Sequence, residues 1–585
     1  MRPSLLITFS AMILLLSHPT DMTGGEDNHS LIDIENRLDT INQELHRLNA
    51  VLTLIGERLP PGVNADLDQA RTEATEARQD LEAQYAAVDL PAIEQRLQQA
   101  LDARNAVIID MLAEDPIWHH LRDRPAEVAE QIAALEGQSD LQADQLLALN
   151  AARAKQHRLE QARSRVLGTH SLWRHAPGVG DLNQAAWAII LQEQRPARGR
   201  ITDLRDRERR LRDAEQALRQ QQTAAARNHD SATWPMTRIQ ALEAERDQLH
   251  SARDGLYQQV LGQGPQWHHE IEVPRGPDRR GRERRPGSVS LWLPPDTPVV
   301  RGIILCDHIV IGTRLARDRR IRYTAAKHGL AIIRQFDSTF TKADAPEVLQ
   351  GYLGTLAKLA QRPELDRIPL LTIGHSTGGI FARNVAYWQA DRVMGIIHIK
   401  SGNMHHGLRP ESRSLAGVPF LAINGELEDC GPEGGGERGI RSEYNHQTQW
   451  VMIREQMLRR RRDDADNLMS LVFHPGGGHT NWNHNLTHYC ARFIHHAAQR
   501  RLPPAPADAT TEVRCQALTA ADGWLSDADL KGPRHPPAAY AQYAGDRLAA
   551  FWHLSEELAI RAAAIHAQSL LPDPSRHFPV DPNWP

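Results

Sequence analysis

The sequence predicts an α/β fold in which an eight-stranded, mostly parallel sheet is preceded by a long α-helical coiled-coil or bundle region. Two patterns support this prediction. Apolar residues recur at alternating steps of three and four through residues 31–55, and eight short apolar runs lie between residues 268 and 473. The first pattern is typical of a helix that packs along one seam, and the second of buried strands. The 585 residues are enough for at least two domains.

The composition excludes several classes of protein. Hydrophobic residues make up 41% and charged residues 24% of the chain, and the only long apolar run is N-terminal, so a polytopic membrane protein and a wholly disordered chain are excluded. The net charge of -5 gives no general attraction to nucleic acid, and we expect no nucleic-acid partner. The four cysteines could form two disulfides, but their wide spacing matches no zinc knuckle.

Residues 1–24 are interpreted as a signal peptide or an N-terminal anchor. Arg2 precedes an apolar run over residues 5–16, whose length suits a signal peptide better than a bilayer span. No Ala-x-Ala cleavage motif follows, so an uncleaved anchor remains open, as do a misassigned start codon and a buried first helix. The favoured interpretation is export to the periplasm, the cell surface or the medium.

Residues 25–262 are predicted to form the helical region. The seam over residues 31–55 is a heptad pattern, and leucines seven residues apart repeat it near residue 250. Prolines and glycines would divide the region into several antiparallel helices, with breaks at residues 60–62, 116, 125 and 176–180. We expect either a bundle that packs on itself or a stalk that allows self-association, and no catalytic residue.

Residues 263–503 are predicted to form the α/β domain. The first three apolar runs have only loops between them, and most later runs alternate with helical stretches, which indicates an antiparallel start followed by parallel units. The Arg-rich residues 275–285 are expected to be a solvated loop. The predicted strands cover residues 268–273, 288–293, 302–306, 330–333, 369–373, 394–399, 419–423 and 469–473.

Ser376 lies in the sequence Gly374-His375-Ser376-Thr377-Gly378, between the fifth predicted strand and a predicted helix. The glycines of such a G-x-S-x-G motif permit a sharp strand-to-helix turn that exposes the serine hydroxyl. The amides at the helix N-terminus can stabilise an oxyanion. Because the strand and the helix flank the motif, we interpret Ser376 as a catalytic nucleophile rather than part of an ordinary glycine-rich turn.

A nucleophilic serine needs a histidine base and an orienting acid, in the chain order serine, acid, histidine. His479 is the candidate base because it lies in a glycine-rich loop after the last predicted strand. His474, at the end of that strand, is interpreted as a structural residue. His484 is interpreted as part of the next helix.

The acid is expected after the seventh predicted strand, because residues 399–403, which end the sixth, contain no carboxylate. Three carboxylates compete in the turn that follows Gly425. The usual acid stands about three residues after such a glycine, which favours Glu428. Asp429 and Glu426 remain alternatives.

The motifs around Ser376, Glu428 and His479, in this order after consecutive strands, resemble the α/β-hydrolase superfamily over roughly residues 265–503. The region is similar to secreted esterases of the polyhydroxyalkanoate-depolymerase and feruloyl-esterase kind. The resemblance implies acyl transfer to Ser376, with His479 as base and Glu428 orienting it, and a small or polymeric ester as substrate. It implies no metal and no organic cofactor.

The oxyanion hole is where the chain departs from the lipase pattern. After the third predicted strand the sequence reads Cys306-Asp307-His308-Ile309 instead of an H-G-G-G run. The resemblance implies that the amide of Thr377 is one donor. The other donor would be an amide near His308 or Ile309.

Residues 504–585 are predicted to be a C-terminal extension whose aromatic residues pack on the hydrolase domain, the alternative being a carbohydrate-binding or polymer-binding surface. Residues 545–554 within it are predicted to be helical.

Two other functions compete with an esterase. One is a serine peptidase on the same fold, for which the sequence indicates no gating domain, and the other is a catalytically idle scaffold, against which the intact triad argues.

Overall fold

A computed structural model describes most of the chain. The predicted signal segment, the Arg-rich loop, His308, Ile309 and Asp429 lie outside the described residues. No helix within the described ranges has the length and apolarity to cross a membrane. The described residues are 31–569 without 112–115, 139–140, 168–178, 200–201, 228, 230–231, 274–285, 308–309, 336–344, 402–413, 427, 429–448 and 504–512.

The N-terminal region is helical, as its heptads predict. A π-helical turn, Ile189–Gln194, joins the sixth helix to the seventh. The helices are α1 Leu31–Arg58, α2 Ala65–Ala87, α3 Leu90–Met111, α4 Pro116–Glu136, α5 Ala143–Leu167, α6 Val179–Ala188, α7 Arg195–Gly199, α8 Thr202–Ala226 and α9 Thr233–Leu261.

The predicted break at Pro125 is wrong, because this proline lies inside α4. A proline within a helix costs about 3 kcal/mol through a lost hydrogen bond and a steric clash. Leu121, Val128 and Ile132 of the same helix are buried in the core of the bundle. Burying three aliphatic side chains contributes more than the proline costs, at about 1.5–3 kcal/mol each.

The heptad seam of α1 is buried by other helices of the same chain. Its side chains at the heptad positions from Leu31 to Ile55 are all buried. Those from Ile41 to Ile55 share a core with Leu149 of α5, Ala226 of α8 and Leu242 of α9. The coiled-coil partner is therefore supplied within the chain, and self-association is not needed to cover this seam.

The α/β domain contains the predicted eight-stranded, mostly parallel sheet. Its strand order is β1-β2-β4-β3-β5-β6-β7-β8, in which β2 is antiparallel to both β1 and β4 and the other pairs are parallel. The strands are β1 His269–Val273, β2 Gly287–Trp292, β3 Gly302–Asp307, β4 Leu330–Gln335, β5 Leu370–His375, β6 Val393–Ile399, β7 Phe420–Gly425 and β8 Met469–His474.

Helices cover both faces of this sheet, which explains why the parallel strands are continuous apolar runs. Along β3, Ile303 and Leu305 belong to one core, whereas Ile304 and Cys306 belong to the other. Helices α12 to α14 lie on the first face and α10, α11 and α15 on the second. Their bounds are α10 Ile311–Arg317, α11 Arg319–Lys327, α12 Ala345–Leu359, α13 Thr377–Trp388, α14 Gln449–Asp463 and α15 His484–Arg501.

The C-terminal extension packs on the α/β domain through a small sheet of order β10-β9-β11. The predicted helix over residues 545–554 is wrong, since four of its residues form strand β11, pair with β9 and are buried. Phe551 and Trp552 of β11 enter the two cores of the large sheet, so pairing and burial override the local helical pattern. The elements are β9 Trp524–Asp527, β10 Ala538–Ala539, β11 Ala550–His553 and α16 Glu556–His566.

The helical region contacts the α/β domain beside the N-terminus of α15. Asp39 of α1 lies 2.9 Å from the imidazole of His484, and Glu35 lies 3.0 Å from the guanidinium of Arg320. The hydroxyl of Tyr257 in α9 donates to the same Glu35 carboxylate. The bundle is therefore attached to α11 through Arg320 and, through His484, to the helix that follows the predicted catalytic histidine.

Candidate active site

Ser376 lies in a strained turn between β5 and α13. Its backbone angles are φ 57° and ψ -125°, a conformation that residues with side chains rarely adopt and that costs about 1–3 kcal/mol. A Cβ atom at Gly374 would lie 1.9 Å from the carbonyl oxygen of Gly378, and one at Gly379 would lie 2.2 Å from the hydroxyl of Ser401. Glycine is therefore required at these positions for the helix to begin directly after the serine.

The strand order and this serine turn are those of the α/β-hydrolase fold. The turn lies at the carboxyl end of the central strand β5, with β3 and β6 on either side. Side chains that follow the neighbouring parallel strands meet at this same edge of the sheet. The fold predicted from the sequence is confirmed.

Ser376, His479 and Glu428 form one hydrogen-bonded series. The Nε2 atom of His479 lies 3.1 Å from the hydroxyl oxygen of Ser376, and its Nδ1 atom lies 2.5 Å from a carboxylate oxygen of Glu428. The Glu428 carboxylate is buried and also accepts a 2.9 Å hydrogen bond from the amide of Gly425. The imidazole is 47% exposed, so a substrate can reach it.

The alternative acid Glu426 bonds other groups than the imidazole. It is 2% exposed, accepts a 2.7 Å hydrogen bond from the amide of Gly476, and also accepts from Lys531 and Ser569 of the C-terminal extension. Glu426 therefore joins the extension to the loop after β8. The other alternative, Asp429, lies outside the described residues.

The other two histidines considered from the sequence do not contact the serine hydroxyl. The Nε2 atom of His474 lies 3.1 Å from the side-chain amide of Asn483, and its backbone carbonyl accepts from the amides of Glu426 and Gly477. His484 is the first residue of α15. A Cβ atom at Gly477 would lie 2.4 Å from the imidazole of His474, so the loop has to pass close to this side chain.

One of the predicted oxyanion donors is described. Thr377 is the first residue of α13, where backbone amides point out of the helix and the helix dipole favours negative charge. The second predicted donor, at His308 or Ile309, lies outside the described residues. Asp307, the residue before them, is buried, and its carboxylate would lie 3.0 Å from a Cβ atom at Gly378, the second residue of α13.

Several other reactive side chains are held in an unreactive state by burial. Desolvation raises the pKa of the thiols of Cys306 and Cys490, so neither resembles an activated thiolate. Desolvation also lowers the pKa of His398, His553 and His566 to about 3. Within the described residues, no group of three or more His, Cys, Asp and Glu side chains is arranged to hold a metal ion.

Sequence reasoning missed the role of the residues at the carboxyl end of β6. The carbonyl of Ile399 accepts a 2.9 Å hydrogen bond from the amide of Ser376, and the hydroxyl of Ser401 donates to the carbonyl of Ser376. Between them, Lys400 extends its side chain to the loop that carries His479. The available signal was a lysine at the end of a buried apolar strand, in a chain in which Arg is by far the commoner base.

No protein-family model matches the chain, and no curated protein matches it. Among solved structures, the LpqC poly(3-hydroxybutyrate) depolymerase from Bordetella parapertussis is 17% identical with a TM-score of 0.28, over 40% of this chain and 92% of that one. Est1E from Butyrivibrio proteoclasticus is 14% identical with a TM-score of 0.24, over 39% of this chain and 99% of that one. The S-formylglutathione hydrolase FrmB from Staphylococcus aureus is 14% identical with a TM-score of 0.25, over 40% of this chain and 97% of that one.

Proposed function

We propose that this chain is a serine hydrolase that cleaves a carboxylic ester through an acyl-enzyme intermediate. The observation that supports this function is the hydrogen-bonded series of Ser376, His479 and Glu428 at the carboxyl edge of the sheet. A serine with a base at 3.1 Å, and a base with a buried carboxylate at 2.5 Å, is the arrangement that nucleophilic acyl transfer needs.

The first half of the reaction forms the acyl-enzyme. His479 takes the proton of the Ser376 hydroxyl through Nε2 while the oxygen attacks the ester carbonyl. The Glu428 carboxylate accepts a hydrogen bond from the N–H group at Nδ1 and stabilises the imidazolium that forms. The imidazolium then gives its proton to the leaving alcohol, and the C–O bond of the ester breaks.

The second half of the reaction hydrolyses the acyl-enzyme. His479 takes a proton from a water molecule, which attacks the acyl carbonyl. His479 then returns a proton to the oxygen of Ser376 as the bond between this oxygen and the acyl carbon breaks and the carboxylic acid leaves. In both halves the negative charge on the carbonyl oxygen would be stabilised by the amide of Thr377 and by an amide near His308 or Ile309. The proposed substrate is a small or polymeric ester, and these steps require no cofactor.

The function can be tested with purified full-length protein and the Ser376→Ala variant. p-Nitrophenyl esters of increasing acyl length should be hydrolysed by the unmodified protein, and a fluorophosphonate should label it. The variant should lose at least about a thousandfold in kcat and should not be labelled. Faster cleavage of aminoacyl p-nitroanilides than of esters would indicate a peptidase, and no turnover or labelling would indicate an idle scaffold.

Export and self-association remain proposals, and each has its own test. Cell fractionation of a tagged chain should recover it outside the cytoplasm if residues 1–24 direct export. Light scattering should give more than one chain per particle if the helical region self-associates. Since the α1 seam is covered within the chain, such an assembly would use another surface of the bundle.

A further inference from the structure

Three consecutive residues at the carboxyl end of β6 contact the backbone of all three segments that carry the proposed triad. Ile399 and Ser401 bond the backbone of Ser376, as described above. The amide of Lys400 donates a 2.7 Å hydrogen bond to Ile423 in β7, the strand that leads to Glu428. The end of β6 is therefore a common support for the nucleophile, the acid and, through the Lys400 side chain, the base.

The side chain of Lys400 is committed to the loop that carries His479. Lys400 is 0% exposed, and its amino group donates to the backbone carbonyls of Gly478 and Asn481. These carbonyls lie one residue before His479 and two residues after it. Fully buried lysines are rare because their amino groups lose hydration. The site therefore provides acceptors to replace that hydration, and those acceptors belong to the catalytic loop.

The loop needs such a support because its own sequence gives it little rigidity. Residues 476–478 are three consecutive glycines, which have more backbone freedom than any other residue type. The amide of Gly478 bonds the side chain of Asn481, and the ring of His375 bonds the carbonyl of His479. Together with Lys400, these contacts engage the backbone on both sides of the base.

We propose that Lys400 is a positioning residue, which holds the His479 loop so that Nε2 stays within hydrogen-bond reach of Ser376. This inference rests on the proposed triad. Lys400 does not touch the reacting atoms and acts through the backbone of the loop. A displacement of about 1 Å at a catalytic group can reduce turnover about a hundredfold, so losing this contact should reduce kcat rather than substrate binding.

The test is the Lys400→Met variant, which keeps the length and packing of the side chain and removes its hydrogen bonds. We expect kcat on a p-nitrophenyl ester to fall at least about tenfold while KM stays within about twofold. Both proteins are assayed at a temperature where each is fully folded. Lys400→Gln keeps a shorter hydrogen-bond donor, so its kcat should lie between those of the unmodified protein and Lys400→Met. If Lys400→Met does not fold, the kcat of Lys400→Gln is the test.

Arg501→Met is the matched control. Arg501 is also buried and also donates to two backbone carbonyls, those of Gly417 and Val393. Val393 begins β6, so this control removes the same kind of contact at the opposite end of the same strand. It should lower the Tm about as much as Lys400→Met and leave kcat within about twofold.

A spectroscopic signal separates this inference from the proposed function. The proton between His479 and Glu428 should resonate far downfield because that hydrogen bond is short, and His479→Ala assigns it. The resonance should be present in the unmodified protein and in Arg501→Met, and shifted or lost in Lys400→Met. An unchanged resonance and kcat in Lys400→Met, or an equal kcat loss in Arg501→Met, would overturn the role of Lys400. An unmodified protein without esterase activity would overturn the proposed function alone.

Discussion

The carboxylate of Glu428 lies 2.5 Å from Nδ1 of His479 and orients this imidazole. Glu426, two residues earlier, is instead bonded to Lys531. Two acidic side chains of one short turn therefore have different partners. One holds the proposed base, and the other holds the C-terminal extension, which leads to distinct expectations for the two residues.

Glu428→Gln should reduce kcat by about a thousandfold to ten thousandfold with little change in Tm, because an amide holds the wrong imidazole tautomer. Glu426→Gln should keep kcat within about tenfold but reduce the free energy of unfolding by about 3 kcal/mol, because it removes the negative charge that pairs with the buried Lys531. Steady-state kinetics and urea unfolding of both variants measure this difference. The reverse pattern would assign the acid to Glu426.

His479→Ala should lose at least about a thousandfold in kcat, because the serine loses its base. His474→Ala should lose far less, since the described imidazole of His474 contacts Asn483 and not the serine hydroxyl. Fluorophosphonate labelling rates measure the reactivity of Ser376 in both variants. Comparable losses from the two substitutions would leave the base unassigned.

Gly379→Ala should impair both stability and activity. The added methyl group would lie 2.2 Å from the hydroxyl of Ser401, which itself bonds the backbone of Ser376. We expect a loss of about 1–3 kcal/mol in unfolding free energy from overpacking, together with a lower kcat. Gly351→Ala is the matched control, because nothing lies within 4 Å of its new methyl group and alanine favours α12 by about 0.5–1 kcal/mol. Equal effects at both glycines would contradict the close packing beneath the serine.

Stability should fall as the pH decreases from about 6.5 toward about 3. His398, His553 and His566 have folded-state pKa values of about 3 because of burial, whereas in an unfolded chain the pKa of a histidine is about 6.5. The unfolded chain therefore binds more protons in this interval, so acid favours unfolding. Urea midpoints at pH 7.5 and pH 5 measure the trend. His566→Gln should show a shallower pH dependence, and an identical slope would exclude a contribution from His566.

The strands and the serine turn could be predicted from the sequence because their determinants are local. A buried parallel strand is a continuous apolar run, and the glycines that the serine turn requires lie at the end of β5 and at the start of α13. Glu428 was favoured over its neighbours by its spacing from Gly425 alone. This spacing depends on the backbone geometry of the turn, so Glu428 could be favoured without knowing which residues surround the turn.

Features that depend on distant partners could not be predicted. Residues 550–553 form a strand because β9, more than twenty residues earlier, pairs with them, and the local pattern indicated a helix. Lys400 was overlooked because its partners are backbone carbonyls, which no residue type encodes. The contact between Asp39 and His484 joins residues that are far apart in the chain and follow no shared motif.

The bonds of Glu426 also set the order in which the site can be completed during synthesis. Ser569 reaches Glu426 from 143 residues downstream, and Lys531 from 105 residues downstream. The acid turn therefore lacks Lys531 until the ribosome has released residue 531, and Ser569 until it has released residue 569. Contacts of such long sequence separation form slowly. A nascent chain that already contains Ser376, Glu428 and His479 would thus still lack the bonds that join the acid turn to the C-terminal extension until β11 and α16 have docked.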